Sequence, residues 1–503
     1  MNDLILVLDA GTGGGRAITV SAAGNIRGWA YRAWDYFEPP GLEVVGKEFD
    51  PNVFRDVLAD CARDAISSSP GRIAGVVVTG QRHGCVFLDA AGAPLYGGPN
   101  RDARGINYTD EVEKRLGADR TWTISGRWPP WIFLPARLEW FRRERPEIFD
   151  RIRHILMIPD WVGWLLTGRA ATEPSAAADT MLLDLAARDF SAELIAATGI
   201  DRALLPEILS AGDRLDGVTL DAASQFGIPA GTPVFVGAAD TQAAMIAAGA
   251  TVDDAVIVAG STGPVMGLID APRIDLGKKL WTGCHPEAGL WLVESNAGDT
   301  GAAWRNYVED HLGLMTTDLR ELYARVEGLA AAAGVGAGGA RASMGPIIWD
   351  LAAIVPCGRA GIVTTFPPGP DNAGPGAFAR AILENIAFAF RANLEQVEAL
   401  ADRAKAVFLA GGMTRSKLFC AVVCDVLGRE IQVVSEPEAT ALGCAIIGFT
   451  ALGVHPGLHL ARQAMIRYPL TLTPDKDTAS DYTCIYDEWR EEYARMMGAT
   501  ESR

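Results

Sequence analysis

Apolar residues in this chain come in short runs punctuated by glycine, and the N-terminal stretch shows the pattern most clearly. Leu4–Leu8 is continuously apolar, as a buried strand requires. Gly11–Gly15 then supplies a tight turn and Arg16–Ser21 a returning strand. Ala22-Ala23-Gly24-Asn25 turns the chain into a third strand, Ile26–Arg32. Asp50 followed by Pro51 predicts a helix start, with the carboxylate as cap and proline at the first helical position. Phe54, Val57, Leu58, Cys61 and Ala65 recur behind it at helical spacing. Ile73–Thr79 is a further strand. The order is strand, strand, strand, helix, strand, and the first three are joined by hairpins too short for a parallel crossover.

The second half repeats that order. Ala255–Ala259 is a strand, Gly260-Ser261-Thr262-Gly263 a turn, Pro264–Ile269 a returning strand and Leu290–Glu294 a third, with a helix from about Asp299 to His311. Ala406–Ala410 leads into Gly411-Gly412 and a helix with Leu418, Val422 and Val426 on one face, stopped by Gly428. Two similar halves suggest an internal duplication. The expected domains are 1–250 and 251–455, with a closing segment 456–503 whose end beyond Tyr468 reads as a polar helix. Ala330–Ala342, rich in Ala and Gly, is expected to be a loop.

Composition narrows the partners. The 503 residues carry a net charge of −17, which argues against nucleic acid or an anionic membrane as main partner. Met1-Asn2-Asp3 has no positive n-region, and no uninterrupted apolar stretch is long enough to span a bilayer. The eight cysteines form no CxxC pair and read as reduced core residues, those at 420 and 424 included. A soluble cytoplasmic protein is expected, with a homodimer left open.

Candidate chemistry gathers at the glycine turns. In Asp9-Ala10-Gly11-Thr12-Gly13-Gly14-Gly15-Arg16 the glycines let backbone N–H groups converge on one anion. Thr12 adds a hydroxyl, Arg16 a positive charge, and Asp9 a carboxylate able to hold Mg²⁺ through water. A second hairpin, Gly260-Ser261-Thr262-Gly263, suits a polyphosphate clamped from both sides. No G-x-x-x-x-G-K-[ST] occurs, and Gly334–Gly339 fits G-x-G-x-x-G only after an Ala-rich helical stretch, where a dinucleotide fingerprint has no strand to follow. Asp240 stands where the strand Val234–Ala239 runs into a helix. There it is either a helix N-cap or a general base at the mouth of a cleft. Gln81-Arg82-His83 and Asn100-Arg101-Asp102-Ala103-Arg104 pack hydrogen-bonding side chains into loops, as a polyol site or a solvated ion-paired loop does. His285 and His311 read as ordinary surface or loop histidines.

These motifs together resemble the FGGY family of carbohydrate kinases over residues from about 4 to 455. They run D-A-G-T-G-G-G-R from Asp9, G-Q-R-H-G from Gly80, D-W-V-G-W-L-L-T-G from Asp160 and T-M-L-L-D-L-A-A-R-D from Thr180. G-A-A-D-T-Q from Gly237, G-S-T-G from Gly260, R-A-I-L-E-N-I from Arg380, A-G-G-M-T-R-S-K from Ala410 and E-A-T-A-L-G-C-A from Glu438 follow in the family's order. The resemblance implies an α/β pair of actin-like, hexokinase-like (ribonuclease H-like) domains closing a cleft over ATP. It implies that Asp240 is the catalytic base and that Asp9 assists Mg-ATP. Gly11, Thr12, Gly13, Arg16, Gly260, Ser261 and Thr262 fall on the phosphate hairpins, Gly411, Gly412 and Ser416 on the adenosine loop, and Gly298 at a further nucleotide contact. Gln81, Arg82, His83, Asn100, Asp102 and Thr241 fall where a sugar is held. Gln81-x-His83-Gly84 and Leu183–Asp189 look like xylulose kinases, whereas Asn100–Arg104, Gly13 and Glu438–Gly443 look like autoinducer-2 kinases. D-xylulose is the first expectation for the sugar and the autoinducer-2 precursor the second. An ATP-binding chaperone or filament protein of the same fold is the alternative from another class.

Overall fold

The computed structural model describes residues 3–313, 318–351, 358–434, 438–467 and 470–498. The first apolar run becomes the strand Asp3–Ala10, antiparallel to Gly14–Ser21 on one side and parallel to Arg72–Gly80 on the other. Ile26–Ala33 extends the sheet past Gly14–Ser21, Pro233–Ala239 pairs in parallel with Arg72–Gly80, and Arg214–Gly217 closes the far edge. In the second half Ala255–Val258 takes the central place, with Thr262–Ile269 and Trp291–Asp299 antiparallel on one side. Val407–Ala410 and Ile431–Val433 lie parallel on the other. The same five-strand path therefore occurs twice, inside sheets of six and seven strands.

Helices cover both faces of each sheet. Asp50 caps Pro51–Ser67, its side chain accepting from Asn52 N at 2.8 Å, and that helix packs outside the first sheet with Ile158–Thr167 and Leu220–Phe226. Leu319–Ala333, Pro375–Ala401 and the C-terminal Lys476–Met496 cover the outside of the second. Between the sheets lie Asp240–Ala248 and Ala439–Ala451, alanine-rich helices that share one core with the inner faces of both sheets. They cross so closely that a Cβ on Gly443 would stand 1.8 Å from the Ala243 carbonyl oxygen. Small residues are what permit that approach. A smaller sheet of Pro94–Gly98, Cys85–Leu88 and His154–Met157 carries an aromatic cluster of Phe87, Tyr96, Phe133 and Phe141, which Trp281 from the second half joins.

Several expectations need correction. Ala330–Ala333 ends the helix Leu319–Ala333, because alanine prolongs a helix until Gly334, at φ +72°, stops it. The helix expected over 299–311 is Gly301–Arg305 continued by a π-helical turn, Asn306–His311. The closing helix is not polar throughout, since it buries Tyr482, Tyr486, Trp489 and Tyr493. His285 is no surface residue: it is fully buried, and burial beside Arg462 and Arg188 pulls its pKa down to about 3. Cys484 is exposed, the other six described cysteines are buried, and Cys357 lies outside the described residues. Among the described residues, no helix is long and apolar enough to cross a membrane.

Candidate functional site

A cleft of about 1,180 Å³ opens between the sheets at the ends of the two central hairpins. On its first wall Gly11 N donates to Gly14 O at 3.1 Å and shapes the turn. Position 14 has to be glycine, because a Cβ would lie 2.4 Å from the Arg32 carbonyl oxygen. Tyr36 and Tyr31 hold the loop from behind, their hydroxyls donating to the carbonyls of Thr12 at 2.6 Å and Gly13 at 3.0 Å. On the opposite wall Gly260 N donates to Thr262 O at 3.2 Å, and Thr300 N to Ser261 O at 3.0 Å. Gly411, at φ +103°, brings the next loop against Ala259. Ser416 caps Lys417–Leu427, accepting from Phe419 N at 3.1 Å, so the positive end of that helix borders the cleft.

Four acidic side chains line this space: Asp9, Asp240, Glu327 and Glu438. Asp9 is buried, and its Oδ1 has no protein partner. Arg16 Nη1 stands 3.8 Å from Asp9 Oδ2 and 3.2 Å from Glu438 Oε2. Burial pushes the Asp9 pKa up to about 6 against the pull of Arg16, and Asp240 and Glu438 add to the rise. An orphaned carboxylate oxygen beside further negative charge fits a divalent cation or a water bound to one. No group of three or more ligating side chains forms a protein-only cage among the described residues.

Asp240 is the first residue of its helix and Ala239 is the N-cap, so the simple capping explanation fails. Its Oδ1 instead accepts from Thr241 N at 2.6 Å and Thr241 Oγ1 at 3.1 Å. Burial raises its pKa, opposed by Arg82 and by the two Thr241 hydrogen bonds.

The loop after Arg72–Gly80 splits into three fates. Arg82 makes a bidentate pair with Glu294 of the other half, both bonds at 2.6 Å. His83 sits at φ +62° with its ring against Phe133 and Trp281. Burial and the nearby Arg82 and Arg127 hold that ring neutral, its pKa well below the usual histidine range. Gln81 turns away to support the first hairpin: Nε2 donates to Tyr36 Oη at 3.2 Å, and Oε1 accepts from Asn100 N at 3.1 Å. Asn100 joins it there, donating to Thr12 Oγ1 at 2.9 Å.

Of the expected site residues, Asp9, Gly11, Thr12, Gly13, Arg16, Asp240, Thr241, Gly260, Ser261, Thr262, Gly411, Gly412 and Ser416 meet in the cleft. The other six are not in its lining: Gln81, Arg82, His83 and Asn100 are engaged as described above, and Asp102 and Gly298 are placed elsewhere. Asp102 is buried in an ion cluster, accepting from Lys47 N at 3.0 Å, Arg104 Nε at 2.7 Å and the Tyr96 hydroxyl, with Arg137 Nε at 3.3 Å. With both oxygens so engaged it supports the fold rather than a ligand. Gly298 is absent from the cleft lining, its α-carbon facing Ile347, and Gly301 lines the cleft in its stead. Sequence reasoning passed over Asp179, Arg127, Glu294 and Trp281. The signals were slight: Asp179 stands one residue before the motif at Thr180, and Arg127 opens Arg-Trp-Pro-Pro-Trp.

Two sheets of one topology, packed on paired inner helices with glycine hairpins facing across the cleft, define a two-lobed actin-like α/β fold. The chain belongs to the FGGY family of carbohydrate kinases, whose N-terminal domain model matches residues 4–247 and whose C-terminal domain model matches 255–452. An autoinducer-2 kinase from Escherichia coli (strain K12) is 28% identical over 533 residues, covering 98% of this chain and 94% of the relative. The crystal structure of xylulose kinase from Rhodospirillum rubrum superimposes with a TM-score of 0.83 at 26% identity, covering 99% of both chains. Plasmodium falciparum glycerol kinase with ADP shares the fold, with a TM-score of 0.83 at 18% identity and 98% of both chains covered. Family membership sets aside the chaperone and filament alternatives.

Proposed function

We propose that this kinase transfers the γ-phosphoryl group of ATP, taken up with Mg²⁺, to a hydroxyl of a free ketose, with D-xylulose the first candidate. The observation that carries the reading is the placing of Asp240 at the junction of the two halves, in one cleft with both glycine hairpins. A sugar hydroxyl is a poor nucleophile, and a carboxylate beside it accepts its proton as transfer proceeds. Thr241 fixes Asp240 Oδ1 and leaves the remaining lone pairs of the carboxylate to do this. The backbone N–H groups of the hairpins, with Thr12, Ser261 and Arg16, bind and orient the phosphates, and Gly412 and Ser416 border the nucleoside. Held by Asp9 through water, Mg²⁺ would offset phosphate charge. The Arg82–Glu294 ion pair and the neutral His83 would border the acceptor sugar.

The autoinducer-2 precursor is a second reading, favoured by the 28% identity to kinases of that name over nearly the whole chain. Sugar-dependent ADP release across a panel of ketoses and polyols, including both candidates, tests the two together. Asp240→Asn should lower kcat by about 10²–10⁴ while ATP affinity stays within a fewfold. A variant keeping most of its turnover would remove Asp240 from the chemistry.

A further inference from the structure

Outside the lining of the cleft, and nearly inaccessible at 1% exposure, lies another carboxylate, Asp179. Its Oδ1 accepts from Arg127 Nη2 at 3.2 Å, while Oδ2 is buried with no partner. Arg127 is itself fully buried. It donates through Nη1 to the Thr282 carbonyl at 2.8 Å, and its Nε–H also lacks a partner. His83 Nδ1, 3.8 Å from Asp179 Oδ1, is a third orphaned atom. Trp281 packs against two of the three, with the Arg127 guanidinium carbon 5.5 Å and the His83 ring 5.6 Å from its centroid. A structural ion pair normally satisfies its own hydrogen bonds, because each buried orphan carries a full desolvation penalty. Three orphans on neighbouring residues mark a place that a polar molecule completes.

Charge and position limit that molecule. Each guanidinium here already faces a carboxylate: Arg82 with Glu294, Arg127 with Asp179, and Arg137 with Asp102. No cation remains among these to match an acidic or phosphorylated sugar, so the molecule is uncharged. Asp240 and Asp179 both act electrostatically on Arg82, but only Asp240 lines the cleft beside the phosphate hairpins. A ketose with its reacting hydroxyl at Asp240 therefore has its other end at Asp179. What is orphaned there is an acceptor next to a donor, which matches a hydroxyl next to a carbonyl.

We propose that Asp179 is a specificity-determining residue that accepts a hydrogen bond from the terminal hydroxyl of an α-hydroxyketone, while Arg127 Nε–H donates to the adjacent carbonyl oxygen. This rests on the ketose-kinase reading above. D-xylulose offers that pair at C1 and C2, whereas a methyl ketone such as the autoinducer-2 precursor offers a carbonyl without the hydroxyl. A site built to bind a hydroxyl rejects the analogue lacking it far more strongly than an apolar pocket rejects a missing methylene.

The test compares kcat/KM for D-xylulose and 1-deoxy-D-xylulose, which differ only in that hydroxyl. The wild-type enzyme should prefer D-xylulose by roughly 10²-fold or more. Asp179→Asn keeps one acceptor and should retain part of the preference. The double variant Arg127→Met/Asp179→Leu, which leaves no lone buried charge, should bring it to about threefold or less. If the variants fail to fold, as thermal melting reports, the wild-type comparison decides alone. Equal use of both sugars by the wild-type enzyme would overturn the assignment of Asp179 and leave the kinase reading standing, as would a preference that survives in the double variant. Absence of ADP release with D-xylulose, alongside turnover of another sugar, would overturn the D-xylulose reading and this assignment with it.

Discussion

Glu173 stands in front of the short helix Pro174–Ala178, where its Oε2 accepts from Ser175 N at 2.9 Å and Oε1 is buried without a partner. Burial pushes its pKa from an ordinary 4.5 up to about 7. The folded protein therefore holds a proton that the unfolded chain releases within that window. Stability from this group is complete below pH 4.5, declines as pH rises, and is lost above about pH 7. Glu173→Gln mimics the protonated form. It should match the wild type below pH 4.5 and exceed it above pH 7 by up to about 3 kcal/mol. Melting curves at three pH values check this, and a difference independent of pH would contradict it. Single residues were unevenly legible in the sequence. The places of Asp9 and Asp240 in the cleft could be anticipated because glycines or a strand-to-helix change fix their surroundings locally. Asp102 misled because its partners Lys47 and Arg137 lie far off in sequence, and no spacing rule reports which loop carboxylate a distant arginine will claim.

Among the elements, the C-terminal helix Lys476–Met496 best shows how an average hides a pattern. Its acidic and basic residues suggest a solvated helix, yet Tyr482, Tyr486, Trp489 and Tyr493 recur at steps of four, three and four and form one buried stripe. The stripe docks on Pro375–Ala401, the helix carrying the Arg-Ala-Ile-Leu-Glu-Asn-Ile motif. Trp489 Nε1 donates to Asn385 Oδ1 at 2.9 Å, and the Tyr482 hydroxyl to Glu384 Oε1 at 2.9 Å. Part of that motif thus serves the docking of the last helix. Trp489→Ala should cost about 3–5 kcal/mol by cavity formation, with the loss of the Asn385 partner included. Urea titration measures it, and a variant within 1 kcal/mol or so of wild type would show that the helix adds little to the fold. Strands with glycine punctuation were readable in advance because their period is short and their turns have few chemical solutions. The boundary at Ala333 was not, since alanine suits helix and loop composition alike.

For the whole molecule, the duplicated strand path was the most legible feature, and the ties between the halves were the least. Glu294 is fully buried and the Arg82 side chain only 9% exposed, and they come from different halves of the chain, so neither neighbourhood in sequence announces the other. Removing one partner leaves an uncompensated buried charge, and Arg82→Met should destabilise the protein by about 3–5 kcal/mol. Adding Glu294→Leu should recover most of that loss. Equilibrium unfolding of the two single variants and the double variant forms the cycle, and additive losses would show that the pair does not couple the halves. The crossing of Gly443 over Ala243 has its own mechanical consequence. Were the two halves to rotate, it would serve as a fulcrum, with the backbone of Asp240 just beside it, held at its carbonyl by Thr440 Oγ1 at 3.2 Å. Displacement under a rigid rotation grows with distance from the axis, so opening the jaws about this point would sweep their rims widely while the base scarcely moves. Asp240 would stay in register, and only the glycine hairpins would have to travel.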